Sequence, residues 1–151
     1  MARFVFRLAP VLRQRERIEE QKKQLLAREQ RVLADAEARR EMLRTRRENL
    51  ARELIAEHRK LDAEGLRLAY GHLDFLAREI TGADYHVAAC QQAVERARAV
   101  LVRATKDRKI LDRLQERQRE AFKVEQLRLE QRELDDDNAR RYHRASQSAH
   151  H

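Results

Sequence analysis

The 151-residue sequence contains no tryptophan, and only 5% of its residues are aromatic. A globular core of this length usually draws on aromatic and β-branched side chains, so their shortage argues against a globular domain. Glycine and proline, on which loops and tight turns depend, number only 3 and 1. The sequence therefore indicates long regular elements joined by very little loop.

Cysteine and long apolar runs are equally scarce. Cys90 is the single cysteine, which excludes an intramolecular disulfide and fits a reducing compartment. The stretch from Phe4 to Leu8 is too short, and too soon interrupted by charge, to be the apolar region of a secretory signal. No window approaches the ~18 apolar residues of a membrane span. We therefore expect neither a signal peptide nor direct membrane insertion.

Charged residues and helix-forming residues fill the space that these absences leave. Charged residues make up 40% of the chain, and 34 basic against 26 acidic residues give a net charge of +8. Ala, Leu, Glu, Arg and Gln are the most helix-favouring residues, and their dominance together with high charge is typical of a coiled coil. Disorder is the alternative for such a composition, but regularly placed leucines argue against it. The basic excess is spread along the chain, which indicates a solvated coat.

The first predicted helix begins at Pro10, because proline is tolerated in a first helical turn. Its apolar residues recur every seven positions, with a shift of four before the last two, which predicts a local unwinding of the supercoil. They are Val11, Ile18, Leu25 and Val32, then Ala36, Leu43 and Leu50, then Leu54 and Leu61.

The second predicted helix carries a more regular pattern. Two seven-residue series lie three positions apart and predict the a/d stripe of a coiled coil over about six heptads. The first series is Leu66, Leu73, Ile80, Val87, Val94 and Leu101, and the second is Ala69, Leu76, Ala83, Cys90, Ala97, Ala104 and Leu111. Cys90 is thus predicted to be a small buried residue and not a reactive thiol.

Gly65 is the predicted turn residue, because the heptad phase breaks between Leu61 and Leu66 and a glycine can adopt the left-handed conformation that closes a helix. With the turn near residue 64, residue i of helix one would face approximately residue 128 − i. The predicted fold is all-α: a rod-like, antiparallel two-helix coiled-coil hairpin. Its parts are a lead-in (1–9), helix one (10–61), the turn (62–66), helix two (67–141) and a frayed C-terminus (142–151).

Catalytic and metal-binding patterns are absent from the sequence. No phosphate-binding loop, dinucleotide fingerprint or H-E-x-x-H is present, and a helical hairpin offers little concavity for a reaction. Neither Asp84 with His86 nor Glu57 with His58 completes a set of metal ligands, and the acidic triplet 135–137 is predicted to be a solvated helix face. We expect a protein that is not an enzyme and that has no catalytic residue, metal or cofactor.

The densest basic stretch, from Arg39 to Arg47, raises the question of nucleic-acid binding. A basic zipper would be almost purely basic there, whereas Glu37, Glu41 and Glu48 are interleaved with the arginines. The pattern predicts ion pairs between residues four apart, and no nucleic-acid partner.

Apolar residues outside the heptad stripes are the better indication of a protein partner. Near the N-terminus these are Phe4, Phe6 and Leu8, for which packing at the end of the hairpin is the favoured interpretation. Just past the predicted turn they are Leu68, Tyr70 and Phe75. Clustered apolar side chains on a polar helix mark a contact site or pad the end of the hairpin, and both interpretations are open for the second group.

The two ends of the sequence together resemble the FliJ family of bacterial flagellar export proteins. The similar segments are the opening Phe4-x-Phe6-Arg7-Leu8-x-Pro10-Val11-Leu12-x-x-Arg15, the stretch 109–117, and 130–135 with Arg140-Arg141. Asp136-Asp137 departs from the family pattern. The resemblance implies a rod like the central stalk of rotary ATPases, located in the cytoplasm at the inner-membrane base of the flagellum.

The resemblance also implies partners. In this family the part that carries the chain ends enters the pore of the hexameric export ATPase and promotes its assembly. The turn-proximal part of the second helix engages the cytoplasmic domain of the export-gate membrane protein, and some members escort substrate chaperones. By resemblance, the gate-binding candidates are Tyr70, Leu73, Leu76 and Ile80. The ATPase-binding candidates are Arg13, Arg15, Arg17, Arg132, Arg140 and Arg141.

Three alternatives stay open at the level of sequence. The nearest is the corresponding stalk of a virulence type III secretion system. A second is a structural coiled coil that only self-associates, and a third is a basic coiled coil that coats nucleic acid.

Overall fold

The computed structural model describes residues 2–150 and contains two α-helices. Helix α1 spans Ala9–Glu57 and helix α2 spans Ala63–Ser148, with no strand in the described part of the chain. Contacts divide the chain into a larger unit, residues 17–105, and a smaller unit, residues 2–16 and 106–150. In each unit a segment from the first part of the chain packs against a segment of α2. The predicted all-α helical hairpin is confirmed.

The stripe predicted for α2 forms its side of the seam in the larger unit. Ala36 of α1 packs with Val87 and Cys90, and Leu25, earlier on α1, lines a groove with Ala97, so the two helices run antiparallel. Every residue of the two predicted α2 series is buried or half-buried. The buried members are Leu76, Val87, Cys90, Val94, Ala97 and Ala104, of which Leu76 and Val87 are the most completely buried, at 1% exposure. The prediction that Cys90 is a buried residue is confirmed.

The seam of α1 differs from the predicted one. Val11 and Val32 are 38% and 46% exposed. Of the other predicted residues, Ala36, Leu43 and Leu54 are buried, and Ile18, Leu25, Leu50 and Leu61 are half-buried. Leu54 and Leu61 lie at multiples of seven residues from Leu12, Leu26 and Leu33, so the step of four from Leu50 to Leu54 is the ordinary spacing between the two apolar positions of one heptad. The predicted shift before Leu54 is therefore wrong. The same heptad position is also occupied by Glu19, Arg40 and Arg47.

Asp62 and not Gly65 determines where α2 begins. Its Oδ1 accepts a hydrogen bond from the N–H of Gly65 at 2.7 Å, which is the geometry of an N-cap carboxylate. Gly65 lies in the first turn of α2, and no described glycine has a positive φ, so the predicted left-handed Gly65 is wrong. Helix α1 ends at Glu57, whose carbonyl accepts the N–H of Lys60 at 2.9 Å.

The turn precedes the predicted one, because α1 ends at Glu57 and α2 begins at Ala63. This changes which residues of the two helices face each other. The relation predicted with a turn near residue 64 would place residue 92 opposite Ala36. In the structure Ala36 packs with Val87 and Cys90, because moving the centre of a hairpin toward the N-terminus shifts every facing pair by twice that displacement.

The smaller unit has a short packed part and a long exposed part. Phe6 and Leu12 are buried, at 6% and 7% exposure, and the rings of Phe4 and Phe122 are 5.7 Å apart. Beyond residue 126 every described residue is exposed, yet α2 continues to Ser148. The helix thus continues through residues 142–148 of the segment that was predicted to fray. His151, the last residue of that segment, lies outside the described residues.

Candidate partner-binding surfaces

The larger unit has an open groove of about 670 Å³ along α1, close to the start of α2. Met42 and Leu50 supply apolar lining, and His72 contributes from α2. Among residues 2–150, no three His, Cys, Asp or Glu side chains are grouped so that they could hold a metal ion. Neither described helix has a stretch apolar and long enough to cross a bilayer.

The four gate-binding candidates have very different exposures. Tyr70 is 51% exposed, whereas Leu76 is only 1% exposed. Leu73 and Ile80 are half-buried, at the seam positions on either side of Leu76. Of the four, Tyr70 presents the largest surface to a partner, and Leu76 is positioned to hold the two helices together.

Two further apolar side chains are exposed on the same stretch of α2. Leu68 is 73% exposed and Phe75 is 50% exposed. The rings of His72 and Phe75 are stacked, with centroids 6.2 Å apart and an interplanar angle of 12°. Because His72 also lines the open groove, this stack joins the groove to the exposed apolar residues of α2.

The ATPase-binding candidates of α1 are all exposed. Arg13 and Arg15 belong to the smaller unit, and Arg17 is the first residue of the larger one. Arg15 forms an ion pair of 3.7 Å with Asp107, and both side chains are 44% exposed. An ion pair at that exposure adds little stability, so Arg15 can exchange its partner at low cost.

The ATPase-binding candidates of α2 lie on its exposed C-terminal part. Arg132, Arg140 and Arg141 are exposed, and Arg140 is 4.0 Å from Asp137 in the same helix. Since Asp107 faces Arg15, Arg132 is 25 residues beyond the facing position, or roughly 38 Å along the helix at 1.5 Å per residue. In the smaller unit the structure therefore brings the three α2 arginines near one another but does not bring them to Arg15.

Three of the five arginines from position 39 to position 47 pair with residues of α2. Arg40 and Arg44 both approach Oδ1 of Asp84, at 3.6 and 3.2 Å, and Arg39 lies 3.9 Å from Glu79. For Arg39, Arg40 and Arg44 the structure shows pairing with α2 in place of the predicted pairing with glutamates of α1. Asp84, which the sequence offered as a weak metal-ligand candidate, instead accepts a hydrogen bond from Arg44.

Two features of the packing were not predicted from the sequence. Glu19 occupies a heptad position, is 6% exposed and pairs with Lys23 at 3.3 Å. Its seven-residue spacing from Leu12 and Leu26 was the available signal. Arg119 lies 5.5 Å above the ring of Phe4, a cation–π contact that adds to the packing expected for the N-terminal aromatic residues.

Comparisons with known proteins give one match. A search of curated proteins and a search of solved structures each found no similar protein. Residues 4–147 match the family described as flagellar FliJ protein, which covers nearly the whole chain. This is a family of flagellar export proteins and not of known enzymes, and the match favours the flagellar over the virulence-secretion alternative. The chain belongs to the FliJ family and is a component of the flagellar protein export apparatus.

Proposed function

We propose that this chain is a stalk that binds the hexameric flagellar export ATPase, promotes its assembly and links it to the export gate. The observation that carries the ATPase part is the exposure of α2 from residue 127 to residue 150. A helix that is exposed on every side can be contacted all around its circumference, which is what a surrounding pore requires.

Charge supports the same proposal. Arg132, Arg140 and Arg141 are exposed on this segment and would meet acidic groups of the ATPase. Exposed ion pairs contribute about 0–1 kcal/mol each, so several are needed, and the resulting contact is reversible. We expect the affinity to fall as salt concentration rises.

The gate part of the proposal rests on the exposed apolar side chains near the start of α2. Tyr70, Leu68 and Phe75 are at least half exposed, and all three lie within one eight-residue stretch of α2. Tyrosine is favoured in protein interfaces because it combines apolar area with a hydroxyl donor. We assign Tyr70 as a contact residue, and we assign Leu73, Leu76 and Ile80 to the support of that surface.

The ATPase part is tested with the purified cognate export ATPase. Its hydrolysis rate and sedimentation are measured with and without this protein, and stimulation together with a shift toward hexamers is expected. A triple variant with alanine at Arg132, Arg140 and Arg141 should lose the effect. The matched control replaces Arg96, Arg98 and Arg103, which are also exposed on α2, and should keep it. Equal loss in both variants would indicate a response to net charge alone and would contradict the assignment.

The gate part is tested with the cytoplasmic domain of the gate protein and Tyr70→Ala. The control is Tyr85→Ala, because Tyr85 is 76% exposed on the same helix. We expect Tyr70→Ala to weaken binding about tenfold, which corresponds to the loss of ~1.4 kcal/mol expected for an interface aromatic. Equal affinities of the two variants would remove Tyr70 from the proposed contact.

A further inference from the structure

The exposed C-terminal part of α2 is not uniformly polar. Leu127, Leu134 and Tyr142 are 64%, 58% and 78% exposed, and no residue of this segment is buried. The three are spaced seven and eight residues apart, so they lie on one side of the helix. Small or uncharged residues fill the intervening positions of that side. The complete set, called here the C-terminal stripe, is Leu127, Gln131, Leu134, Asn138, Tyr142, Ala145 and Ala149.

The C-terminal stripe is continuous and narrow. At 100° per residue its seven members fall within about 80° of the helix circumference, and they extend over ~33 Å of helix. No charged side chain belongs to it, although charged residues surround it on the rest of the surface. Such a stripe is the pattern by which one helix packs along another.

The charged residues that flank the C-terminal stripe indicate which helix can pack on it. One flank carries Glu130 and Asp137 in its N-terminal half and Arg141 and Arg144 in its C-terminal half. The only ion pair seen at these four side chains joins Asp137 to Arg140 at 4.0 Å, and both partners are more than half exposed. This flank is therefore acidic at one end and basic at the other, and it is complementary to a reversed copy of itself.

We propose that the C-terminal stripe binds a second copy of this chain in an antiparallel homodimer centred on Asn138. A two-fold axis at Asn138 places residue i beside residue 276 − i of the second copy. Leu134 then packs on Tyr142 of the second copy, and Leu127 packs on Ala149 of the second copy. Each contact occurs twice, because the axis makes the interface self-complementary.

The same axis brings opposite charges together on one flank. In an antiparallel pair each flank meets the same flank of the other helix. The axis places Asp137 beside position 139 and Glu130 beside position 146 of the second copy. Arg141 and Arg144 of the second copy lie two residues, or about 3 Å along the helix, from these positions. A long arginine side chain spans that offset, so Asp137 pairs with Arg141 and Glu130 with Arg144, and four ion pairs form across the dimer. A parallel dimer in register would place Asp137 beside Asp137 and Arg141 beside Arg141, which is repulsive.

Asn138 has a distinct part in this arrangement. It lies in the middle of the stripe, where the two-fold axis places it against Asn138 of the second copy. A polar residue at an apolar position of a coiled coil selects register and partner number at some expense of stability. The other amide of the stripe, Gln131, faces Ala145 of the second copy, so Asn138 is the amide that meets its own counterpart. Slippage of the pair would leave this amide against Leu134 or Tyr142.

The dimer is independent of the proposed ATPase role but uses the same helix. A contact of one helix pair falls at or below the ~1,200 Å² that marks weak, transient interfaces, so the dimer forms reversibly. Because it occupies Arg141 and covers one side of the segment, binding to the ATPase and binding to a second copy exclude one another.

The first test is sedimentation equilibrium of the full-length protein over a range of concentrations. We expect a monomer–dimer equilibrium in which Asp137→Arg weakens dimerisation about tenfold or more, since two attractive pairs become repulsive. Combining Asp137→Arg with Arg141→Asp restores the pairs and should return the Kd to within about threefold of the original. The control Asp136→Arg makes the same charge change on the opposite side of the helix and should leave the Kd unchanged.

A second test establishes orientation by disulfide formation. Leu134→Cys and Tyr142→Cys proteins, each retaining the buried Cys90, are mixed and oxidised. A disulfide between position 134 of one copy and position 142 of the other is expected, and Asp136→Cys should cross-link poorly. A protein that stays monomeric at all concentrations, or a dimer that ignores Asp137→Arg while circular dichroism shows an intact helix, would overturn the proposal. A preference for 134–134 disulfides would overturn the antiparallel arrangement.

Discussion

Replacement of Leu76 by alanine separates residues that hold the helices together from residues that contact a partner. Leu76 is 1% exposed in the seam of the larger unit. The change removes three carbon atoms, each worth about 0.8 kcal/mol of transfer free energy, so the transfer term is ~2.4 kcal/mol. The cavity left behind adds to this, but a two-helix seam can close over part of it. We expect the free energy of unfolding to fall by about 2.5–3.5 kcal/mol.

The assay is urea unfolding followed by circular dichroism at the helix band, with Tyr70→Ala as the comparison. Tyr70 is 51% exposed, so its replacement should lower the unfolding free energy by less than about 1 kcal/mol. For a chain of this length, the Leu76 variant should melt roughly 5–12 °C lower. A loss below about 1 kcal/mol for Leu76→Ala would contradict its burial in the seam.

Binding measured with folded protein completes the comparison. Under conditions where the Leu76 variant is still folded, its affinity for the gate domain should stay within about threefold of the original, whereas Tyr70→Ala should lose affinity. If the folded Leu76 variant binds as poorly as the Tyr70 variant, the partner reaches the seam, and the assignment of Leu76 as a supporting residue is refuted.

Further predictions concern the glycines of α2 and the residue that caps its N-terminus. Gly71→Ala and Gly82→Ala should each raise the unfolding free energy by about 0.5–1 kcal/mol in urea unfolding, because an added Cβ meets nothing within 4 Å at either site; a loss at either position would refute this. Gly65→Ala should bring no such gain, since its Cβ would lie 2.9 Å from Oδ1 of Asp62. Asp62→Ala should lower the unfolding free energy by about 1 kcal/mol through loss of the N-cap, and Asp62→Asn should retain most of it; equal stability of the two variants would argue against capping.

The sequence predicted the α2 seam correctly because that helix offers only one apolar stripe. The neighbouring registers have less apolar content, since the position after the first series is occupied by residues such as Arg67, Asp74 and Glu95. Helix α1 offers two adjacent registers. One contains Val11 and Val32, and the other contains Leu12 and Leu33 but is interrupted by Glu19. The apolar count favoured the first, whereas the packing uses the second, and only the facing surface of α2 could decide between them.

The turn was misplaced because two signals competed over a few residues. Gly65 suggested the end of one helix, and Asp62 followed by Glu64 suggested the start of the next. The hydrogen bond from the N–H of Gly65 to Asp62 shows that the capping signal determines the helix boundary. The burial of Leu76, by contrast, could be predicted from its heptad position. The prediction that Leu76 contacts the export gate rested only on the resemblance to the FliJ family. A resemblance does not distinguish buried supporting residues from exposed contact residues.

The distribution of burial suggests how one chain can combine a stable part with adaptable contacts. The most buried seam residues lie between Leu76 and Ala104 in the larger unit, where substitutions should cost the most stability. From residue 127 to residue 150 no side chain is buried. This part of the helix is therefore supported only by its backbone hydrogen bonds and by local pairs such as Gln131 with Asp135, at 3.1 Å. Local pairs of this kind are weak, and isolated helices are marginal in water. A partner that packs on this segment therefore also stabilises its helix, so that partner binding and helix formation are coupled. Both should respond to changes at Arg141, the charged residue that the proposed ATPase contact and the proposed dimer share.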